Sequence, residues 1–372
     1  MNNLILKGQS TPYFIYKKAI LLDNIRKFNK FIENGIQPLY AIKSNNYPDL
    51  VSTLIENKWG VDIASKEELS YIQKFGVDNS LVSFSAPTKK EEDIVQANKM
   101  NVKYYAFDSE YELHKIIDNV DSPILMLRLA SYSSNAIFNL SSKFSFQYEE
   151  AVKLLRGNIK YKDFIKGITF HVGSQNTSIN TWKQTLLKVG KLIRTSNEIG
   201  YNITLINLGG GIPTIYSKND KELDYYIEKI VQYTKRFKNE FPQINTFLIE
   251  PGRSVSANTM DLVTKVINIQ KYKKPTVLTV DAGVFHGLME ALEHFEYPVE
   301  AKLSKCSNTK KYYRIAGFSC DGYDIIIQKV SLPSSISPGD YIIFKNTGAY
   351  SFVYEKFHMV DYPPVIELER DE

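Results

Sequence analysis

"PLYAIKSNN", residues 38–46, is the stretch on which the fold turns. Leu39, Tyr40 and Ile42 make a short apolar run, Lys43 interrupts it, and small polar residues follow at once. Such a run predicts a short buried strand, with Lys43 at its carboxyl end. A lysine there reads in two ways: a solvated residue at a strand end, or an amine placed to react with a carbonyl. The flanks decide between them. Upstream, residues 23–34 carry a helical pattern, and downstream "WGVDIA" at 59–64 is a second strand-like run.

The alternation continues through "LVSFSA" (81–86), "VKYYAFD" (102–108), "ILMLRLA" (124–130), "GITFHVG" (167–173), "ITLINLGGG" (203–211) and "TFLIEPG" (246–252). Helical patterns lie between them at 66–74, 89–100, 109–118, 148–156, 180–199 and 221–240. Strand then helix, repeated about eight times, predicts parallel strands with helices outside. That is the size of a (β/α)8 TIM-like barrel, an α/β fold, with an open doubly wound sheet as the alternative. After "EPGR" (250–253) the texture changes to "DLVTKVINIQ", "PTVLTVDAG", "YYRIAGFSCDGYDIIIQKV" and "DYIIFKN", with "SPGD" at 337–340 as a turn and a short helical window near 287–293. This predicts a C-terminal all-β domain. The expected boundaries are a barrel over 18–258 and a β domain over 259–372, with the N-terminal strand within 1–17 joining the latter because the ring has no place for it.

Composition narrows the function classes. Of 372 residues, 43% are hydrophobic and 23% charged, as in an ordinary globular protein. The net charge of +5 is spread over scattered lysines, so no nucleic-acid partner is expected. With only two cysteines, Cys306 and Cys320, a disulfide framework is not expected and a cytoplasmic location is. The N-terminal stretch "MNNLILKGQSTPYFIY" has too short an apolar run for a secretory signal, and no run is long enough to span a bilayer, so no membrane partner is expected.

In an eightfold barrel the active site lies at the carboxyl ends of the strands. Those ends carry Lys43, Asp62, Ser85, Arg128, His171, Gly209, Gly210, Gly211, Glu250 and Arg253. The triple glycine reads as a flexible turn or as a nest whose backbone N–H groups approach a phosphate. It follows the seventh strand, where barrels of this kind hold phosphate, with Arg253 nearby. A lysine, a phosphate site and an acid together suggest pyridoxal 5'-phosphate (PLP). Lys43 would form the Schiff base, Glu250 would keep the pyridine nitrogen protonated, and His171 would stack on the ring. No metal site is expected.

The ordered set "YAIKSN" (40–45), "GVDIAS" (60–65), "FHVGSQ" (170–175), "LGGGIP" (208–213), "EPGR" (250–253), "CDGYD" (320–324) and "GAYS" (348–351) resembles the alanine-racemase-fold PLP decarboxylases, which act on ornithine, lysine or meso-diaminopimelate. The resemblance covers nearly the whole chain. It implies Lys43 as the Schiff-base lysine, His171 as the stacking residue, and Ser174, Gly209 to Gly211, Arg253 and Tyr350 as phosphate contacts, with Asp62 and Arg128 on the cofactor side. It further implies a homodimer with shared active sites, in which Cys320 and Asp321 of one subunit enter the site of the other. Cys320 would return a proton after CO2 leaves, and Asp321 would bind a distal ammonium, with Asp281 and Tyr350 as further substrate contacts.

Departures from the family pattern cluster on the substrate side. "SSKFS" (141–145) ends in serine where relatives have glycine, Asp281 in "DAGVFHGLMEAL" is shifted, and "FVYEKFH" follows "GAYS". The implied function is decarboxylation of an amino acid with a distal cationic group, of the ornithine, lysine or diaminopimelate kind, in polyamine biosynthesis or on a related intermediate of siderophore or peptide-antibiotic assembly. A racemase on the same fold is the runner-up, though racemases set an arginine where Glu250 stands. A non-catalytic PLP-binding protein is the third reading, and the β domain argues against it.

Overall fold

The structure is a computed structural model that describes residues 9–132, 136–138, 143–305 and 308–360. Cys306, the first residues of "SSKFS" and both chain ends, included in the expected domain limits, lie outside the described residues.

The chain opens with β1 (Tyr13–Tyr16) and α1 (Lys18–Glu33) and then alternates. The succession is β2 (Ile36–Ala41), α2 (Pro48–Glu56), β3 (Gly60–Asp62), α3 (Lys66–Gln73), β4 (Val82–Phe84), α4 (Glu91–Lys99), β5 (Tyr104–Phe107), α5 (Glu110–Asn119) and β6 (Ile124–Arg128). It continues through β7 (Ala136–Phe138), α6 (Tyr148–Gly157), β8 (Ile165–Thr169), β9 (Ser174–Asn176), α7 (Asn180–Ile199), β10 (Leu205–Asn207), α8 (Leu223–Glu240), β11 (Thr246–Ile249) and α9 (Arg253–Ser256). Strands β2, β3, β4, β5, β6, β8, β10 and β11 pair in parallel, and β11 returns to β2, so the sheet is a closed barrel and not an open one.

Two-residue periodicity makes this ring a site. Leu39, Ala106, Met126, Leu205 and Leu248 form a small apolar plug inside the ring. Their neighbours Tyr40, Tyr105, Leu125, Leu127, Ile206 and Ile249 face the helices in the main core. Two residues along three of these strands from the plug, the inward positions turn polar: Arg128 after Met126, Asn207 after Leu205, Glu250 after Leu248. Gly167 makes room for the plug, since a Cβ there would lie 2.8 Å from Leu205 Cδ2 and Met126 Cγ. Helix starts ring the same mouth. Ser65 and Ser109 cap α3 and α5 through Glu68 N and Glu112 N, fixing the turns that follow β3 and β5.

The β domain holds β12 (Met260–Gln270), β13 (Thr276–Val280), β14 (Val299–Lys302), β15 (Lys310–Ala316), β16 (Ile325–Pro333) and β17 (Tyr341–Phe344). The first half of β12 pairs antiparallel with β1 and β17, and its second half, past a bulge between Val266 and Asn268, pairs with β13. Leu262, Leu278, Val280, Tyr313, Ile315, Ile342 and Phe344 form its core. The segment after β17 returns to the barrel mouth: Gly348 N donates to Ala257 O at 2.8 Å, Asn45 Nδ2 to Gly348 O at 2.6 Å, and Tyr350 N to Ser44 O at 2.8 Å. A Cβ at Gly348 would meet Ser256 O at 2.1 Å, so only glycine allows this approach. Among the described residues no helix is long and apolar enough to cross a membrane.

Three local features depart from the sequence reading or add to it. Lys43 sits on a 3-10 turn, Ile42–Ser44, two residues beyond the strand. "PDLVSTLIE", which is not among the helical patterns named above, is α2, with Pro48 at its first turn and Asp49 at its positive end. The segment after His171 forms β9, which pairs antiparallel with β7.

Candidate active site

Lys43 Nζ lies 3.8 Å from Asp62 Oδ2, with its side chain 31% exposed and that of Asp62 3% exposed. Burial works against the Lys43 ammonium, but Asp62, Tyr350 and Glu250 outweigh it and raise its pKa above the usual lysine value. Asp62 is pushed upward by burial and by the Glu250 carboxylate, against the pull of Lys43. Glu250 lies just past β11 and is 8% exposed. Its Oε1 accepts from Ser85 Oγ at 2.6 Å and from Asn207 Nδ2 at 2.5 Å. Ser85 N in turn donates to Asp62 Oδ1 at 3.2 Å, and Gly209 N to Asn207 Oδ1 at 3.0 Å. Four strand ends are thus tied into one network around the two acids.

His171 accepts from Gly173 N on Nδ1 at 2.9 Å, which places the proton of the neutral ring on Nε2. Burial, followed by the Arg128 and Lys43 cations, lowers its pKa to about 3, so the ring is uncharged at neutral pH. Arg128 Nε donates to Ser145 Oγ at 3.2 Å, and its guanidinium lies 5.6 Å from the centre of the Phe144 ring.

The glycine turn after β10 is packed against backbone. Gly209, at φ +64°, would place a Cβ 1.8 Å from Phe170 O, and Gly211, at φ +111°, would place one 2.4 Å from Gly173 O. A Cβ at Gly210 would lie 2.5 Å from Glu250 O and 3.4 Å from His171 Nε2. These positions accept no side chain, which leaves bare backbone between His171 and Glu250. Beside it, Arg253 at the start of α9 donates from Nε to Ser174 Oγ at 3.1 Å. Tyr350, at φ +52°, closes this wall, its ring centre 4.9 Å from the Arg253 guanidinium carbon.

The cavity at the mouth is about 600 Å³ and is lined by Lys43, Asp62, Arg128, His171, Ser174, Glu250, Arg253 and Tyr350. Gly210 and Gly211 line its inner recess with the same Lys43, His171 and Arg253. That volume suits a cofactor with a small substrate. The set fits PLP: a lysine for its aldehyde, an acid at the barrel axis for its ring nitrogen, an uncharged ring beside it, and backbone, hydroxyl and arginine donors for its phosphate.

Other expected residues lie elsewhere. Asp281 is not in the cavity wall: its Oδ1 accepts from Lys265 N at 2.8 Å and its Oδ2 from Thr11 Oγ1 at 2.5 Å, so it fastens β12 to the chain before β1. Cys320 is exposed, and Asp321 closes a turn by accepting from Tyr323 N at 2.7 Å on Oδ1; neither lines the cavity of its own chain. Conversely, Glu290, Glu293, Tyr354 and His358 line the cavity without having been singled out. An acid inside the apolar run "GLMEAL" was the available signal for Glu290.

A barrel mouth of this make-up, capped by a β domain, defines a PLP-binding barrel protein. A family model described as the pyridoxal-binding domain of pyridoxal-dependent decarboxylases matches residues 19–257, and the chain belongs to that family of PLP-dependent enzymes. It is 28% identical over 356 residues to a lysine/ornithine decarboxylase of Selenomonas ruminantium, covering 94% of this chain and 87% of the relative. It is 30% identical over 336 residues to an ornithine decarboxylase of Rattus norvegicus, covering 85% and 71%. Among solved structures, the arginine decarboxylase of Paramecium bursaria Chlorella virus superposes with a TM-score of 0.84 at 25% identity, covering 93% of this chain and 92% of that one.

Proposed function

We propose that this PLP-dependent decarboxylase acts on an amino acid with a distal cationic group. The observation that carries the reading is the convergence of Lys43, Asp62, His171, Glu250 and Arg253 on one cavity. The relatives named above bear the names of ornithine, lysine and arginine, each of which has a second cation. When bound, PLP supplies the electron sink that takes up the electrons released as the substrate carboxylate leaves as CO2.

The chain supplies the rest. Lys43 would hold the cofactor through its Nζ, whose amine is the group suited to react with the cofactor's aldehyde. Asp62, 3.8 Å away, orients Lys43 and holds its proton. Glu250, fixed by Ser85 and Asn207, would hold the ring nitrogen of the cofactor and favour its protonated form. His171 offers an uncharged face, which adds no positive charge to compete with that proton. The glycine turn, Ser174, Arg253 and Tyr350 would hold the phosphate.

The proton that replaces the carboxylate comes from Cys320 Sγ of a second copy, whose Asp321 meets the distal cation. This requires a homodimer and a reducing, cytoplasmic setting in which Cys320 stays a thiol. Exposed aromatic residues around that loop support the pairing: Phe318 is 49%, Tyr323 76% and Phe285 45% exposed. The test is kcat/KM for CO2 release from ornithine, lysine, diaminopimelate and uncharged norleucine, in the wild type and in Asp321→Ala. A diamino acid is expected to be favoured, with a loss of roughly a hundredfold or more in the variant, since breaking one side of a buried charge pair costs about 3–5 kcal/mol. A preference for norleucine contradicts the substrate class.

A further inference from the structure

Arg253 is gripped from both domains. Glu290, 5% exposed, stands on the 3-10 turn Met289–Glu293 of the β domain. It takes the guanidinium end-on: Arg253 Nη1 donates to Oε2 at 2.8 Å and Nη2 donates to Oε1. Arg253 Nε, on the other edge of the plane, donates to Ser174 Oγ at 3.1 Å. The Phe295 and Tyr350 ring centres lie 5.2 and 4.9 Å from the guanidinium carbon.

A guanidinium is a rigid plane with distinct donor edges, so holding one edge fixes the direction of the others. Glu290 holds the end formed by the two terminal nitrogens. The Nε edge is thereby turned to Ser174, which follows Gly173, and Gly173 packs directly on Gly211 of the glycine turn. The side where a phosphate meets backbone donors is therefore the Ser174 side, not the Glu290 side. We infer that Glu290 is a positioning residue for phosphate recognition: acting through Arg253, it aims the Nε edge at the anion site without touching the anion. This rests on the reading that Arg253 and the glycine turn hold the phosphate. It goes beyond that reading in making the β domain part of the phosphate site, through a side chain 37 residues from Arg253 in sequence.

The rival is that Glu290 stands where the phosphate belongs and must be displaced by it. The two accounts predict opposite signs. In Glu290→Gln the amide oxygen can accept from one terminal nitrogen, while its NH2 faces the other as donor against donor, so the two-point, charge-assisted grip on Arg253 is weakened to one neutral acceptor with little change in volume, leaving the Ser174 and Tyr216 bonds. The experiment measures dissociation constants of PLP and of pyridoxal, which has the same ring and aldehyde but no phosphate, by absorbance in wild type, Glu290→Gln, Arg253→Ala and the double variant.

The expected result is a roughly tenfold or greater loss of PLP affinity in Glu290→Gln, with pyridoxal unchanged, from loss of a charge-assisted contact. In the Arg253→Ala background, adding Glu290→Gln should cause no further loss of PLP affinity, because the effect passes through Arg253. PLP affinity that is unchanged or tighter in Glu290→Gln overturns the inference, as does an equal loss for PLP and pyridoxal. Should Glu290→Gln fail to fold, Glu290→Asp keeps the charge with a shorter reach; a loss confined to PLP supports the inference and wild-type affinity overturns it. A wild type that binds PLP no tighter than pyridoxal overturns instead the placement of the phosphate itself.

Discussion

Replacing Glu250 by glutamine separates cofactor binding from catalysis. Glu250 Oε1 is fixed by two donors, Ser85 Oγ at 2.6 Å and Asn207 Nδ2 at 2.5 Å. A glutamine must turn its oxygen to both of them, which leaves its NH2 pointing into the cavity. A ring nitrogen there would accept from that NH2 and stay unprotonated, whereas Glu250 favours the protonated form. The variant therefore keeps a hydrogen bond to the cofactor and loses the charge. A hydrogen bond to a charged group is worth about 1.5–3 kcal/mol, so the loss predicts a fall in kcat of roughly 10- to 150-fold. Because the interaction matters most as negative charge spreads into the ring, kcat and kcat/KM should fall together. PLP affinity should change by no more than about threefold, a difference worth under about 1 kcal/mol. The assay pairs CO2 release at saturating substrate with absorbance titration of PLP. Wild-type turnover in Glu250→Gln would refute the role, and so would a PLP affinity that falls in step with kcat.

Mixing inactive Lys43→Ala with inactive Cys320→Ala protein should restore part of the wild-type activity, since a mixed dimer would contain one site free of both changes; no recovery after subunit exchange would contradict the shared site. Asp281→Ala should lower the melting temperature by leaving Lys265 N without its acceptor, a cost of about 1–3 kcal/mol, yet leave kcat/KM unchanged. A loss of kcat/KM at unchanged stability would return Asp281 to the substrate side. His171 titrates near 6.5 when unfolded but only at about 3 when folded, so its stabilising effect is complete above 6.5 and is lost as pH falls toward 3. Between pH 7 and pH 5 the wild type should therefore lose about 2 kcal/mol more urea stability than His171→Gln, and equal losses would show that the ring is not held neutral by its surroundings.

The barrel was legible because its strands alternate with helices and carry their polar residues at one end. "LINLGGG" (205–211) shows this at residue level: Leu205 fills the plug, Ile206 faces the helices, and Asn207 turns inward to Glu250. Strand lengths were overread for a physical reason. "LVSFSA" stays extended in pattern beyond Phe84, but Ser85 leaves the ladder to serve Asp62 and Glu250. The α2 helix was hidden by Pro48, which breaks a helix interior but starts a helix well. Asp281 shows the opposite failure. Its motif marked a segment near the cavity, but the direction of the side chain depends on how β13 meets β12, and it points to Lys265 N. Glu290 was invisible as a partner of Arg253 because their meeting depends on docking the β domain against the barrel mouth.

The most direct test of the central claim is chemical. Protein loaded with PLP should be yellow, and reduction with borohydride followed by proteolysis and mass spectrometry should find the pyridoxyl group on Lys43, the lysine that stands 3.8 Å from Asp62 on the turn after β2. A label on Lys89, which is buried behind the mouth and bonded to Ala86 O and Ala106 O, or on any other lysine, would contradict the account of the site.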